Sequence, residues 1–171
     1  PQIHVVIHVV GGISPAREDV IRLLNSGKDV ITANKALLYA HGEELFALAG
    51  TLNRTICFEA AVAGGIPIIS AVNTALTANR IISIEAILNG TSNFILTQML
   101  DLRQTYDDVL KEAQTRGYAE ADPMMDVDGT DAAQKLSILT WLAWGTWVRL
   151  EDIVRQGIQQ IELLDLLVAQ E

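Results

Sequence analysis

Lys28-Asp29-Val30-Ile31-Thr32-Ala33-Asn34-Lys35 is the stretch on which the fold turns. Val30, Ile31 and Thr32 are β-branched, and a short run of this kind predicts a strand. Asn34 follows as a good helix N-cap. Residues 35–49 then place Leu37, Leu38, Leu45, Phe46 and Leu48 at helical spacing. Working outward, residues 3–10 (Ile-His-Val-Val-Ile-His-Val-Val) read as an earlier, buried strand. After Gly11-Gly12, Ser14 is a plausible N-cap and Pro15 a plausible first helical residue. Val20, Leu23 and Leu24 give that helix an apolar face, and Gly27 ends it. Downstream, residues 54–58 read as a third strand. Strands alternating with helices predict a parallel sheet and an α/β fold. A buried strand needs neighbours on both sides. Only two residues precede the first one, so the chain is expected to begin inside a larger domain.

Bulk properties narrow the class. A chain of 171 residues, half of them hydrophobic, can bury a core. The net charge of -9 argues against a nucleic-acid binder. No run of eighteen apolar residues occurs, so no membrane span is expected. No basic region precedes an apolar run at the start, so no signal peptide is expected either. The single cysteine, Cys57, excludes an internal disulfide and fits a reducing compartment. It stands in Ile56-Cys57-Phe58 and is expected to be buried and inert.

The pattern changes at Glu59-Ala60-Ala61-Val62-Ala63-Gly64-Gly65-Ile66-Pro67, where small residues and two glycines suggest unusual backbone geometry. A helix is expected over 67–76 and a strand over 80–88, with Ile82, Ile84 and Ala86 alternating against Ser83 and Glu85. Asn89-Gly90-Thr91-Ser92 reads as a turn before a helix over 92–102. Another helix begins at Thr105 or Tyr106 and ends at Gly117. Residues 129–144 form a helix apolar almost all round, hence buried. The tail, 150–171, reads as one or two helices with a break near Gly157.

The chemistry concentrates in residues 117–135. Glu120, Asp122, Asp126, Asp128 and Asp131 fall within twelve residues. Pro123 argues against a helix through the first part. Asp128 can cap the following helix, with Asp131 returning the bond. Lys135 lies one turn beyond Asp131 on the same face. It shares that face with Ile138 and Leu142, so it points to a cleft or a partner. A calcium loop fails, because counting back from Gly129 puts Met124 at the first ligand position. What remains is acid–base or substrate-orienting chemistry, set against a solvated loop with a capping aspartate. Carboxylates bind an ammonium group, and a lysine beside them can polarise an oxygen.

Other candidates carry less on position alone. Lys35 opens a helix beyond a strand, where open α/β sheets bind ligands; a solvated lysine is the plainer reading. Gly11-Gly12 is not a GxGxxG motif. The carbonyls of residues 59–66 could ligate a hard cation, although a tight packing turn explains them better. His4 and His8 share one strand face, His41 is distant, and two histidines make no metal site, so satisfied or exposed histidines are expected.

Taken together, these stretches resemble the homoserine dehydrogenase family. The resemblance rests on Gly11-Gly12 with Pro15-Ala16, Thr32-Ala33-Asn34-Lys35, Glu59 to Pro67, Asn89-Gly90-Thr91-Ser92-Asn93 and, most specifically, Gly117-Tyr118-Ala119-Glu120-Ala121-Asp122-Pro123 followed by Asp128-Gly129-Thr130-Asp131-Ala132-Ala133-Gln134-Lys135. It spans roughly residues 9–158. It implies a partial Rossmann-like nucleotide-binding domain over 1–60 and an α+β substrate and dimerisation domain over 61–171. The implied reaction is NAD(P)-dependent interconversion of L-homoserine and L-aspartate 4-semialdehyde, in threonine, methionine and isoleucine biosynthesis. Carried over by position, Lys135, Lys35 and Asp131 would be catalytic. Glu120, Asp126, Asp131, Tyr118, Gly90 and Thr91 would hold the substrate. Gly12, Asn34 and Lys35 would meet the NADP or NAD, and Glu59, Val62, Gly64 and Ile66 would offer backbone ligands to a sodium ion. A cytoplasmic homodimer is implied. Met124, Met125 and Ala86 depart from the family pattern. The family's N-terminal strand, its glycine-rich phosphate loop and the ribose-recognising residue that selects NAD or NADP would precede residue 1, and its closing segment would follow residue 171. The alternative is a non-catalytic fragment or paralogue that keeps the dimerising domain without a working cofactor site.

Overall fold

The computed structural model describes residues 2–170. They fall into two compact units, residues 2–84 with 134–149 and residues 85–133 with 150–170.

The first unit is built on a three-stranded parallel sheet in the order β1 (Val5–His8), β2 (Asp29–Thr32), β3 (Ile56–Cys57). The register pairs Ile7 with Ile31 and Ile31 with Cys57. Helix α1 (Ser14–Asn25) joins the first two strands and α2 (Lys35–Thr51) the last two. Both pack onto one face, where Val20, Leu24, Val30, Leu37, Leu45 and Ile56 form the core. The α/β expectation holds. The helix boundaries follow the sequence signals: Pro15 lies in the first turn of α1, Gly27 beyond it has φ +76°, and Asn34 caps α2. Ile13, not Ser14, occupies the cap position of α1.

Two expectations about burial need correction, for one reason. Both helices cover the same sheet face, so the opposite face is open. Val5 and Ile7 of β1 are exposed instead of buried. Cys57 is exposed as well. It sits between inward-facing Ile56 and Phe58, and side chains alternate along a strand. His8 is buried with neither ring nitrogen hydrogen-bonded, and its Nε2 lies 3.8 Å from Asp19 Oδ2. The expected satisfied or exposed state therefore fails for it.

Beyond β3 the chain makes a single 3-10 turn, Glu59–Ala61, and then the short α3 (Ile68–Ser70), which widens into a π turn over Ala71–Ala75. Residues 80–88 form no strand. A strand is held by ladder bonds to a neighbour, no described strand pairs with this segment, and Ile82 and Ile87 stay exposed. Against this core, Phe46 of α2 stacks on Trp141 at 4.3 Å and Trp141 on Trp147 at 4.8 Å. Gly42 of α2 lies against Trp147, where a Cβ would have no room. At the surface, Arg17 forks onto Glu44, and this hydrogen-bonded guanidinium holds the Glu44 carboxyl below its ordinary value.

The second unit contains α4 (Gly90–Leu102), α5 (Tyr106–Thr115), α6 (Met124–Val127) and α8 (Leu163–Val168). Ile95 and Met99 of α4 meet Val109 and Ala113 of α5, with Ala119 and Val127, in its core. Arg103 at φ +56° ends α4, and Gly117 at φ +75° follows α5. Burial, with Asp107 adding to it, pushes the Tyr106 phenol above its ordinary value. The acidic stretch does hold one helical turn, α6, which starts directly after Pro123. Proline blocks a helix interior but suits its entry. Helix α7 (Thr130–Trp144) begins in this unit and ends in the first. The tail is less helical than expected. A 3-10 turn at Leu150–Asp152 and α8 are its only described helices.

Candidate active site

The first turn of α4 organises the second unit's polar residues. Asn89 is its N-cap and accepts from Ser92 N at 2.7 Å. With its Oδ1 committed, Nδ2 is left to donate. It donates to Asp126 Oδ1 at 2.7 Å and to Asp131 Oδ2 at 3.0 Å. Ser92 Oγ donates to the Asp126 carbonyl at 2.8 Å, and Thr91 Oγ1 to the Tyr118 carbonyl at 3.1 Å. One helical turn thus grips the acidic stretch at both ends. Tyr118 itself stacks on Phe94 at 4.6 Å.

Asp131 is buried, although it carries a carboxylate. Burying that group is costly unless it is hydrogen-bonded, and the Asn89 amide provides a bond. Lys135 follows four residues later on α7 and is half-buried, as an inward-facing lysine would be. Asp128 accepts from Thr130 N at 2.8 Å at the start of the same helix. A cavity of about 350 Å³ in the second unit is lined by polar Asn89, Ser92 and Asp126 and by apolar Leu88, Leu96 and Ile158. Glu120 stands apart. It is exposed, and its carbonyl is held by Gln114 Nε2 at 3.2 Å. Gly90 is exposed at the head of α4.

The first unit carries its own group of expected residues at the carboxyl ends of its strands. Asn34 Nδ2 donates to Val10 O at 3.0 Å and Gly12 O at 2.7 Å, while its Oδ1 accepts from Leu37 N at 3.0 Å. Gly12 has φ +81° with nothing within 4 Å of where a Cβ would stand. The turn is open, as close approach of a nucleotide requires. Lys35 is the first residue of α2. The residues present fit such a group: Gly12 would supply an open turn and Lys35 a cation, with the Asn34 amide holding the turn in place.

The loop expected to offer carbonyls turns sharply, with Ala63 at φ +51° and Gly65 at φ +88°. Ile66 N donates to Ala63 O, and Ile68 N to Ile66 O. The Glu59 carboxylate faces the other way, accepting from Ile69 N and Ser70 N at 3.0 Å each and from the Ser70 hydroxyl. Only backbone oxygens, Val62 and Gly64 among them, are then left for a cation. No group of three His, Cys, Asp or Glu capable of holding a metal occurs among the described residues.

Sequence reasoning places Asn89 and Ser92 in a turn and gives neither a role in the site. The signal was present: an asparagine three residues ahead of a serine, directly before an apolar helix, is a capping pattern.

Two family models match successive stretches of the chain, with boundaries that differ from those of the two compact units. Residues 1–59 match the family model described as homoserine dehydrogenase, NAD binding domain, and residues 67–171 the one described as homoserine dehydrogenase. A homoserine dehydrogenase of Pseudomonas aeruginosa is 48% identical over 97% of the chain. The crystal structure of a homoserine dehydrogenase from Thiobacillus denitrificans is 50% identical over 98% of the chain, with a TM-score of 0.94. A hyperthermophilic archaeal homoserine dehydrogenase in complex with NADPH is 35% identical over 90% of the chain and 48% of its own, with a TM-score of 0.81. The chain spans 38% of the Pseudomonas protein and 39% of the Thiobacillus one.

Proposed function

Since the chain belongs to the homoserine dehydrogenase family, we propose that it contributes to NAD(P)-dependent interconversion of L-homoserine and L-aspartate 4-semialdehyde, a cytoplasmic step towards threonine, methionine and isoleucine. The observation that carries this reading is the pair Asp126 and Asp131, held by the one amide of Asn89, with Lys135 one helical turn beyond Asp131 in sequence on α7. An amino-acid substrate brings an α-ammonium, and paired carboxylates are its natural partners. Asp126 and Asp131 bind it together with Glu120, and Tyr118, Gly90 and Thr91 line the pocket. Reduction of the aldehyde places negative charge on its oxygen. The Lys135 ammonium stabilises that charge in the transition state and passes the proton to the alkoxide. Bound nicotinamide would supply the reducing equivalent. Gly12, Asn34 and Lys35 would hold and orient it, with Lys35 next to the reacting groups.

The division of labour falls near residue 60, with cofactor contacts in 1–60 and substrate contacts in 61–171. The two matched ranges, 1–59 and 67–171, support it. Backbone atoms of Glu59, Val62, Gly64 and Ile66 form a sodium site, a reading supported by the left-handed residues inside that loop. The partner is a second copy, which would cover exposed Ile82 and Ile87.

The test is semialdehyde-dependent oxidation of NADPH by wild type and Lys135→Ala. Losing the lysine should lower kcat by about a hundredfold or more at retained folding. Full activity in the variant would refute the mechanism. No turnover in the wild type, with a dimer still formed, would favour a non-catalytic paralogue.

A further inference from the structure

We propose that Asn89 is the positioning residue of this site: its amide, oriented by the α4 cap, holds Asp126 and Asp131 side by side so that both can receive the substrate's ammonium. The inference rests on the reading of Asp126 and Asp131 as substrate ligands. Its basis is the accounting of one side chain.

An asparagine amide has two N–H donors and one carbonyl acceptor. Here every one of them is assigned. Oδ1 accepts from Ser92 N at 2.7 Å, and this fixes which end of the amide is nitrogen. Nδ2 then faces Asp126 at 2.7 Å and Asp131 at 3.0 Å. Asn89 is only 8% exposed, so water cannot readily replace it. Two carboxylates that converge on one nitrogen repel each other unless donors stand between them. The two N–H groups supply those donors, and the positive end of the thirteen-residue α4 points the same way. Ser92 Oγ fixes the Asp126 backbone as well, so the acid cannot swing aside.

No other residue type meets all three demands. Aspartate would cap the helix but present a third carboxylate. Serine would cap it but lacks the two donors. Glutamine has the donors on a longer stem that no longer caps. Asn89→Ser and Asn89→Asp therefore separate capping from positioning, since both side chains are good caps.

Steady-state kinetics on the full protein provide the first measurement. Asn89→Ser should raise KM for the amino-acid substrate about tenfold with kcat held within about threefold, the pattern of lost binding common to ground and transition states. Asn89→Asp should be worse than Asn89→Ser. A residue that only caps would leave KM unchanged in both variants, and that result overturns the proposal. A double-mutant cycle in urea unfolding, Asn89→Ser against Asp131→Asn, provides the second. The two effects should be non-additive. Additive effects overturn the bridge whatever the reaction proves to be. Absence of turnover in the wild type would defeat the reaction reading alone, and the cycle would still decide the role of Asn89.

Discussion

Replacing Asn34 by aspartate changes one atom and should still destabilise the first unit. At most helix N-termini the two residues are equivalent caps, and the acceptor that receives Leu37 N at 3.0 Å would be kept. The other end differs. Asn34 Nδ2 donates to the carbonyls of Val10 and Gly12. A carboxylate oxygen there donates nothing and faces two acceptors. Two lost neutral hydrogen bonds at about 0.5–1.5 kcal/mol each give about 1–3 kcal/mol. Half-burial of Asn34 admits water and keeps the value in that range. All three tryptophans, Trp141, Trp144 and Trp147, lie in the first unit, so their fluorescence follows its unfolding alone. With a slope of about 2 kcal/mol/M, a deficit of about 2 kcal/mol lowers the urea midpoint by about 1 M.

The deficit also has a pH signature. It belongs to the ionised form, so the folded state raises the introduced carboxyl above its unfolded value of about 3.9. At about 1.36 kcal/mol per unit, 2 kcal/mol corresponds to about 1.5 units. The deficit relative to wild type should be complete above about pH 5.5 and vanish as pH falls below about 4. Asn34→Ser, which caps without charge, should lose less and show no such dependence. An aspartate variant within about 0.5 kcal/mol of wild type at pH 7 would refute the double role given to Asn34.

Three other outcomes follow from the packing. Ile95→Ala removes three buried carbons from the second unit's core at about 0.8 kcal/mol each, and the cavity brings the cost to about 3–4 kcal/mol, measurable as faster hydrogen exchange along α4. Gly42→Ala should displace Trp147, whose Cζ2 would lie 2.8 Å from the new Cβ; near-UV circular dichroism from the Trp141–Trp147 pair should collapse, with a net loss of about 1–2 kcal/mol after the helix-propensity gain. Phenolate absorbance should show a group ionising above pH 10 that disappears in Tyr106→Phe, and stability should fall as pH rises past 10, because burial favours the neutral phenol in the fold. An unchanged titration in that variant would remove the assignment.

Much of this was legible in the sequence because the governing forces are local. Asn34 announces α2, Gly27 and Gly117 announce helix ends, and β2 is β-branched. Asp131 and Lys135 share a helix face by spacing alone. The failures concern what lies opposite a residue. Apolarity of residues 3–10 cannot say that both helices pack on one sheet face, so Val5 and Ile7 were expected to be inside. Residues 80–88 alternate as a strand does, but alternation supplies no pairing partner. Asn89 looked like part of a turn because its acids are 37 and 42 residues away in sequence. Pairings at that range leave no periodic trace.

The open sheet face gives the molecule its own chemical footprint. Cys57 is the only thiol in the chain, and its register places it beside Ile31, which in turn lies beside Ile7. A maleimide reaching this sulfur must enter the apolar row that those side chains create. Alkylation kinetics at one position therefore measure how often that face is bare. Any longer polypeptide, second copy or ligand that covers the row would slow the reaction in proportion. The same residue that its apolar neighbours would mark as inert becomes the probe that reports whether this sheet face is covered.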